Sequence, residues 1–423
     1  MIEVIDLKQS GLGSNVKPIF LWLKQKDVGE KAMEQIVHLA NLPFAYHHIA
    51  IMPDCHFGYG MPIGGVLATQ KVVIPNAVGV DIGCGMIAVK TSLKVEEVSK
   101  DTLKKIMGKI REVVPVGFNH HKEKQDESLM PLAFNDNELK IGKGIIHKEY
   151  NSALKQLGTL GGGNHFIEIQ KDTDNNIWIM IHSGSRNLGY KVANYYNNLA
   201  IKLNERWFSE VPKKWELAFL PIESQEAKDY LTEMQYCVDF ALANRQLMMD
   251  RIRSIIFAII NNLPDKMTLA EVGNQTSKIM KMFPEPAINI AHNYATWENH
   301  FGQNVIVHRK GATLAREGTI GIIPGSQGTK SYIVKGLGNK DSFESCSHGA
   351  GRKMGRKEAC RSLNLADEIK KLDDQGIIHG IRTAKELDES SGAYKDISEV
   401  MNNQKDLVEV LVELQPLAVI KGD

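Results

Sequence analysis

In this 423-residue chain, glycine gathers beside histidine, cysteine, aspartate and asparagine, and that placement constrains the fold more than any other feature. Gly161, Gly162 and Gly163 stand directly before Asn164 and His165. Gly79, Gly83 and Gly85 surround Asp81 and Cys84, and Gly349 and Gly351 follow His348. Glycine weakens the interior of a helix or a strand, so packing does not explain such clusters. A backbone that must pass close to a metal ion or a phosphate does.

The remainder of the chain can support such a site. Hydrophobic residues make up 43% and charged residues 24%, which is enough to bury a core and excludes a disordered chain. Lys and Arg total 51 against 50 Asp and Glu, so a nucleic-acid partner needs a local basic patch. The five cysteines (Cys55, Cys84, Cys237, Cys346, Cys360) are odd in number and irregularly spaced, which points to a reducing compartment rather than a disulfide framework. The first eight residues carry no basic stretch leading into an apolar one, so they do not read as a signal peptide. The apolar stretch around Ile255 to Leu263 is too short to span a bilayer. The expectation is a soluble, cytoplasmic protein.

Three kinds of territory alternate along the chain. Residues 50–90, 157–190 and 304–355 are glycine-rich, with short strand-like runs at Val72–Ile74, Val78–Val80, Ile177–Ile181, Val305–Val307 and Ile320–Ile323. Residues 226–263 space apolar groups at helical intervals, and residues 352–371 also read as helix. Residues 118–150 and 209–226 are polar and loop-like. No Pro/Ser/Gly linker divides these territories. The fold class is therefore α+β: one domain over 1–423 with a helical insertion at about 205–265, two tightly packed lobes being the alternative.

Several common nucleotide signatures are absent. No Walker A loop occurs, because in Gly325–Ser331 the second glycine, Gly328, is not adjacent to Lys330. There is no G-x-G-x-x-G, no C-x-x-C zinc pair, and no Lys-x-Asp-Gly of the kind a lysine-adenylating or lysine-guanylating ligase needs.

The motifs that are present carry metal and phosphate chemistry. Val78–Val80 reads as a strand running into a turn that aims Asp81 and Cys84 at one point. A thiolate beside a carboxylate suits a divalent transition metal, while a buried cysteine with Asp81 closing the turn is the plainer account. His165 offers a metal nitrogen, and Asn164 and Glu168 offer hydrogen bonds to a nucleotide, against a glycine-rich turn with a surface histidine. His182 ends a buried strand ahead of Ser183–Arg186, and His292 repeats that theme before Asn293. Each histidine alone is as well explained as structural. Together, one carboxylate, one thiolate and three imidazoles form a donor set for two ions sharing the Cys84 sulfur, a pair able to clamp a phosphate. His308–Lys310 places three potentially cationic groups before Gly311, and Pro324–Ser331 is a hydroxyl- and amide-rich loop. His348 lies in a flexible loop with Arg352 four residues on, and its neutral imidazole could attack an α-phosphate to form a phosphoramidate. Tyr394 offers a ring to stack on a base, and the run Leu417–Ile420 could tie down Lys421 near the end of the chain.

Taken together these motifs resemble the RtcB family of RNA-splicing ligases. The markers run from Met52–Asp54 through Val80–Gly85, Gly161–Phe166, His182–Arg186, Ala291–Asn293, His308–Ala312 and His348–Arg352 to Ala393–Asp396, and the resemblance covers about Met52 to Lys421. It implies mixed and antiparallel sheets around a metal site that holds two Mn²⁺ on Asp81, Cys84, His165, His182 and His292, with Cys84 bridging. It implies His348 as the nucleophile that takes GMP from GTP, and a guanine-nucleotide pocket of Asn164, Glu168, Lys310, Ser326, Ser331, Tyr394 and Lys421. The implied reaction is GTP- and Mn-dependent joining of RNA 2′,3′-cyclic phosphate or 3′-phosphate ends to 5′-hydroxyl ends, in tRNA splicing or RNA repair, by a monomer. Two features depart from the common pattern: Ser347 rather than a cysteine directly precedes His348, and Cys55 precedes His56. A two-metal phosphoesterase or nuclease accounts for the metal ligands but leaves His348, the 324–331 loop and Lys421 without a role. A non-catalytic RNA-binding protein does not account for the complete ligand set.

Overall fold

The computed structural model describes residues 3–6, 16–131, 144–264 and 267–422. Part of the expected 118–150 loop and half of the first eight residues lie outside them. Two large sheets organise the chain. The first has six strands in the order Glu3–Ile5, Ile19–Leu21, Ala45–His56, Ile63–Thr69, Gln303–Lys310, Asn293–His300. Its pairs are antiparallel apart from Ile19–Leu21, which runs parallel to Ala45–His56. The second has seven antiparallel strands in the order Ile288–Ala291, Gly85–Lys94, Asn176–Ser183, Phe166–Asp172, Val408–Lys421, Ser331–Gly336, Ile320–Ile323.

Strand alternation gives the second sheet two apolar faces. Ile87 and Val89 join Ile167, Ile179 and Ile181 on one face, against Met248, Met249, Ile252 and Ile256 of the helix Gln225–Ile260. Met86 and Ala88 join Trp178 and Met180 on the other, against Leu372 at the end of the helix Leu365–Asp373. Ser224 caps the 36-residue helix by accepting from the Ala227 amide, and its N-terminal half packs on Tyr196 of the helix Arg186–Arg206. The result is a mixed α+β domain. Among the described residues no helix is long and apolar enough to cross a membrane.

Local structure departs from the sequence expectation at several points. The end of the 118–150 loop is helical, Ile145–Gln156, and the helix Arg186–Arg206 begins inside the 157–190 territory. Val78–Val80 is not a strand. Pro75 begins a short helix, Pro75–Val78, and Gly79 ends it at φ 95°, so the strand that matters, Gly85–Lys94, follows the Asp81–Cys84 turn instead of leading into it. The 72–74 strand is confined to Val72–Val73. The 352–371 helix is two helices, Arg356–Ser362 and Leu365–Asp373, because the Asn364 side chain accepts from the amides of Ala366 and Asp367 and restarts the chain.

The two sheets meet at a seam that fixes the site. The chain leaves the first sheet at Thr69 and enters the second at Gly85, with Asp81 and Cys84 in the connection. It returns through a single residue, His292, between Ile288–Ala291 and Asn293–His300. His182 lies near the end of Asn176–Ser183, and His165 immediately precedes Phe166–Asp172. Adjacent strand ends therefore deliver every expected metal ligand to one edge.

Candidate active site

At that edge the five side chains converge. The Cys84 Sγ lies 3.2 Å from His182 Nε2 and 3.4 Å from His165 Nε2. The Asp81 Oδ2 is 3.1 Å from His165 Nε2, and His182 Nε2 is 3.4 Å from His292 Nε2. Two ligand groups result, Asp81–Cys84–His165 and Cys84–His182–His292, and Cys84 belongs to both.

The surrounding bonds set the ligands' chemistry. His165 Nδ1 donates to the Leu160 carbonyl at 2.9 Å and His182 Nδ1 to the Asn164 carbonyl at 3.1 Å, which turns each Nε2 toward the centre. Burial first, and then the neighbouring imidazoles and cations, push His182 and His292 well below the usual imidazole range, so both rings are neutral. Burial opposes ionisation of Asp81, but the His165 hydrogen bond and charge outweigh it and hold the carboxyl below its usual range. Burial, reinforced by Asp81, pushes the Cys84 thiol well above its usual range when no cation is near. A thiol so buried needs a cation to ionise, and neutral imidazoles beside it are metal-ready donors. This donor set fits two divalent transition ions that share one sulfur.

Fully buried Arg245 braces the seam. Its guanidinium donates to the carbonyls of Gly83 at 3.0 Å and Ser183 at 2.8 Å, and to Asn289 Oδ1 at 2.8 Å. Asn293 adds a second tie, donating to the Asp81 carbonyl at 3.0 Å and accepting from the Gly311 amide at 2.7 Å. A Cβ at Gly184 would collide with the Asp81 carboxylate, and one at Gly161 with Arg186, so these glycines make room for the centre.

His348 stands beside it, its ring centroid 4.8 Å from that of His292. Asp54, wholly buried in the strand Ala45–His56, accepts from His348 Nδ1 at 2.6 Å and from the His348 and Gly349 amides at 3.1 and 3.3 Å, all on Oδ2. His348 Nε2 is thereby left free. Asp54 occurs in the sequence reading only inside a family marker. The available signal was a carboxylate two residues after the apolar run Ile49–Met52, a charge that must have a partner when buried.

Two hollows meet at His348. The smaller contains Asn164, Glu168, Ser326, Tyr394 and Lys421 of the expected nucleotide pocket, together with Phe166, Arg352, Arg356 and Glu389. Lys421 reaches it because Val408–Lys421 pairs with Phe166–Asp172, setting Lys421 opposite Phe166 and Val419 opposite Glu168. The other two expected pocket residues lie elsewhere. The Ser331 hydroxyl sits behind the wall, accepting from the Gly325 amide at 3.1 Å and from Gln170 Nε2 at 3.2 Å. Lys310 lines the larger cleft on the metal side, its ammonium donating to the carbonyls of Tyr59 and Asn76. Burial lowers that ammonium to about 7. His308 and Arg309 do not face either hollow: His308 accepts from the Ile74 amide at 3.0 Å, and Arg309 is buried in an ion pair with Glu298. Arg309 takes the opposite face of the strand from Lys310, which removes it from any phosphate role there.

Glu389 is a further residue the sequence left unmarked. Its buried carboxylate accepts from Arg352 at 2.9 Å, Arg356 at 2.7 Å and the Tyr394 hydroxyl, gathering the cations of the smaller hollow. No local signal identifies it, because its partners come from 33 to 37 residues away or fold against it from a separate turn.

Glu168 yields a pH prediction. Burial raises its carboxyl to about 7, outweighing the Gln170 hydrogen bond and the Lys421 charge that lower it. The folded-state value exceeds the ordinary 4.5, so its protonated form favours folding below about pH 4.5 and that contribution is lost as pH rises through 7. Glu168→Gln is therefore expected to gain on the order of 3 kcal/mol over the parent between pH 4.5 and pH 8. Thermal or urea unfolding of the pair at both pH values checks this, and a constant difference would mean that Glu168 ionises without cost.

Comparison with known proteins agrees with this geometry. The family model described as tRNA-splicing ligase RtcB matches residues 35–422. The chain belongs to the RtcB family. It is 38% identical to the RNA-splicing ligase RtcB of Escherichia coli (strain K12), over 96% of this chain and 97% of that one. It is 32% identical to the tRNA-splicing ligase RtcB of Nanoarchaeum equitans and 30% identical to that of Thermococcus kodakarensis, in each case over 95% of this chain and 93% of the relative. An RtcB chain thus carries Asp81, Cys84, His165, His182 and His292 around one point, with His348 at its margin.

Proposed function

We propose that this protein is a GTP- and Mn²⁺-dependent RNA ligase that joins an RNA 3′-phosphate or 2′,3′-cyclic phosphate end to a 5′-hydroxyl end through a guanylated histidine. The observation that carries the reading is His348: an imidazole anchored through Nδ1 by buried Asp54, between a five-ligand centre and a hollow lined by Asn164, Glu168, Tyr394 and Lys421.

Asp81, Cys84, His165, His182 and His292 would hold two Mn²⁺, which when bound supply Lewis-acid neutralisation of phosphate charge. The remaining chemistry belongs to side chains. At buried Glu168 desolvation outweighs the Gln170 hydrogen bond and the Lys421 charge, and the donor edge of guanine supplies the further hydrogen bonds that favour the carboxylate. Tyr394 gives a ring face to the base, while Lys421, Arg352 and Arg356 attract the phosphates. His348 Nε2 attacks the α-phosphorus of GTP, forming an N–P bond as the bond to the β-phosphate oxygen breaks and pyrophosphate leaves. Asp54 keeps the Nδ1 proton and steadies the developing imidazolium. A cyclic end is first hydrolysed to the 3′-phosphate, and an oxygen of that phosphate displaces His348, giving an RNA-3′-pp-5′-G end. The 5′-hydroxyl then attacks the RNA phosphorus and GMP departs, the hydroxyl proton passing to solvent. The ligase names of the Escherichia coli and archaeal relatives support the same reading, with tRNA splicing or RNA repair by a cytoplasmic monomer as the setting.

The direct test is incubation with Mn²⁺ and α-³²P-GTP. The expected result is a protein label lost in acid and stable in alkali, the signature of a histidine phosphoramidate. A folded, metal-loaded protein that takes no label would shift the assignment to a two-metal phosphoesterase.

A further inference from the structure

The larger cleft has features that neither the ion centre nor the nucleotide hollow explains. Six Lys and Arg side chains line it against three Asp and Glu, in a chain whose totals are 51 and 50, and four of the six (Arg186, Lys310, Lys357 and Arg361) lie outside the nucleotide hollow. This is the local basic patch that a neutral protein needs to hold a polyanion. Aromatic rings stand on the same rim.

Phe118 is 97% exposed, an unusual position for a large apolar ring. Its backbone is nevertheless fixed. Val116 bridges to Gly161, the Gly117 amide donates to the Gly161 carbonyl at 2.9 Å, and Arg186 donates to the Gly117 carbonyl at 3.1 Å. Gly161 begins the loop that ends in His165, so a rigid mount carries the free ring next to a metal ligand. Tyr190, 49% exposed, follows Arg186 by four residues in the helix Arg186–Arg206 and therefore shares its face one turn on. Both rings line the cleft, and Arg186 links them. Exposed rings above a cationic groove suit unpaired bases, which stack on aromatics whatever their identity. Paired bases present no free face to them.

We infer that Phe118 and Tyr190 form a stacking bank for the unpaired terminal bases of the RNA, holding one end at the Asp81–His165 side of the centre. This rests on the ligase reading, because it takes RNA as the cleft's occupant.

The test is fluorescence anisotropy of the full-length protein with a short single-stranded oligoribonucleotide bearing a 3′-phosphate. Phe118→Ala and Tyr190→Ala are each expected to raise Kd by roughly five- to 150-fold, the loss of one stacked base. Phe118→Trp is expected to restore binding. Abasic nucleotides at the terminal positions should weaken the parent and leave the double variant Phe118→Ala/Tyr190→Ala unmoved, and in ligation KM for RNA should rise in the variants while kcat changes little. Unchanged affinity in both alanine variants overturns the inference. Equal weakening of parent and variants by the abasic probe also overturns it, since the bases would then be held elsewhere. Self-guanylation, which takes no RNA, separates the two levels: a parent that labels with GTP while the variants bind RNA normally keeps the ligase reading and loses the bank. A parent that neither labels nor ligates fails the ligase reading, whatever the anisotropy reports.

Discussion

His348→Ala is expected to reduce self-guanylation to background and to abolish joining of a 3′-phosphate end, with metal content and unfolding midpoint close to the parent. The effect is total because the covalent step has no substitute nucleophile: the other imidazoles at the centre, His165, His182 and His292, belong to the two candidate ligand groups and would be occupied once those groups hold metal. The fold should survive because His348 lies in a loop and the Asp54 carboxylate keeps two backbone donors, the amides of residues 348 and 349. A second measurement separates chemistry from collapse. If RNA ending in 3′-pp-5′-G is supplied ready-made, the last displacement needs no histidine nucleophile, so His348→Ala should still seal it. Acid-labile label in the variant would remove His348 from its role. Failure on the ready-made end would mean that the substitution had damaged the ion centre.

How much of this was legible in the sequence depended on whether a residue's signal was local. His165, His182 and His292 were readable because each sits where glycine or a strand end interrupts an apolar run, and strand ends are where a sheet presents side chains to a ligand. The strands Asn176–Ser183, Gln303–Lys310 and Ile320–Ile323 and the helix Gln225–Ile260 follow from short-range pattern in the same way. The Val78–Val80 run misled because β-branched composition competes with Pro75 at a helix start, and proline's fixed φ prevailed. Lys310 and Ser331 illustrate a different limit. Their motifs are adjacent in sequence to the hollow, but which face of a strand points inward depends on register with partners far along the chain. Asp54, Glu389 and Arg245 were obscure for the same reason. Asp54 serves a residue 294 positions away, and Arg245 ties the turn at Gly83 to Asn289 from the largely apolar buried face of its helix. Nothing in the local pattern of a buried ionic side chain names its partner.

Cys84→Ala is expected to strip both ions, and this is the second large effect. The sulfur belongs to both ligand groups, so its loss leaves Asp81 with His165 on one side and His182 with His292 on the other. Each remnant has two donors, too few to hold a transition ion in a defined geometry. Loss of an outer-shell partner alone costs metal sites about 10- to 100-fold in affinity, so loss of a shared inner ligand should exceed about 100-fold at both positions. His165→Ala supplies the contrast: it touches one group directly and leaves Cys84, His182 and His292 together. Metal analysis of the two purified variants after dialysis against a fixed low Mn²⁺ concentration should find the cysteine variant empty and the histidine variant retaining one ion. Two ions in Cys84→Ala would exclude the sulfur as a bridge. Loss of a single ion would assign Cys84 to one position only, and the close approach of His182 to His292 would then define the other.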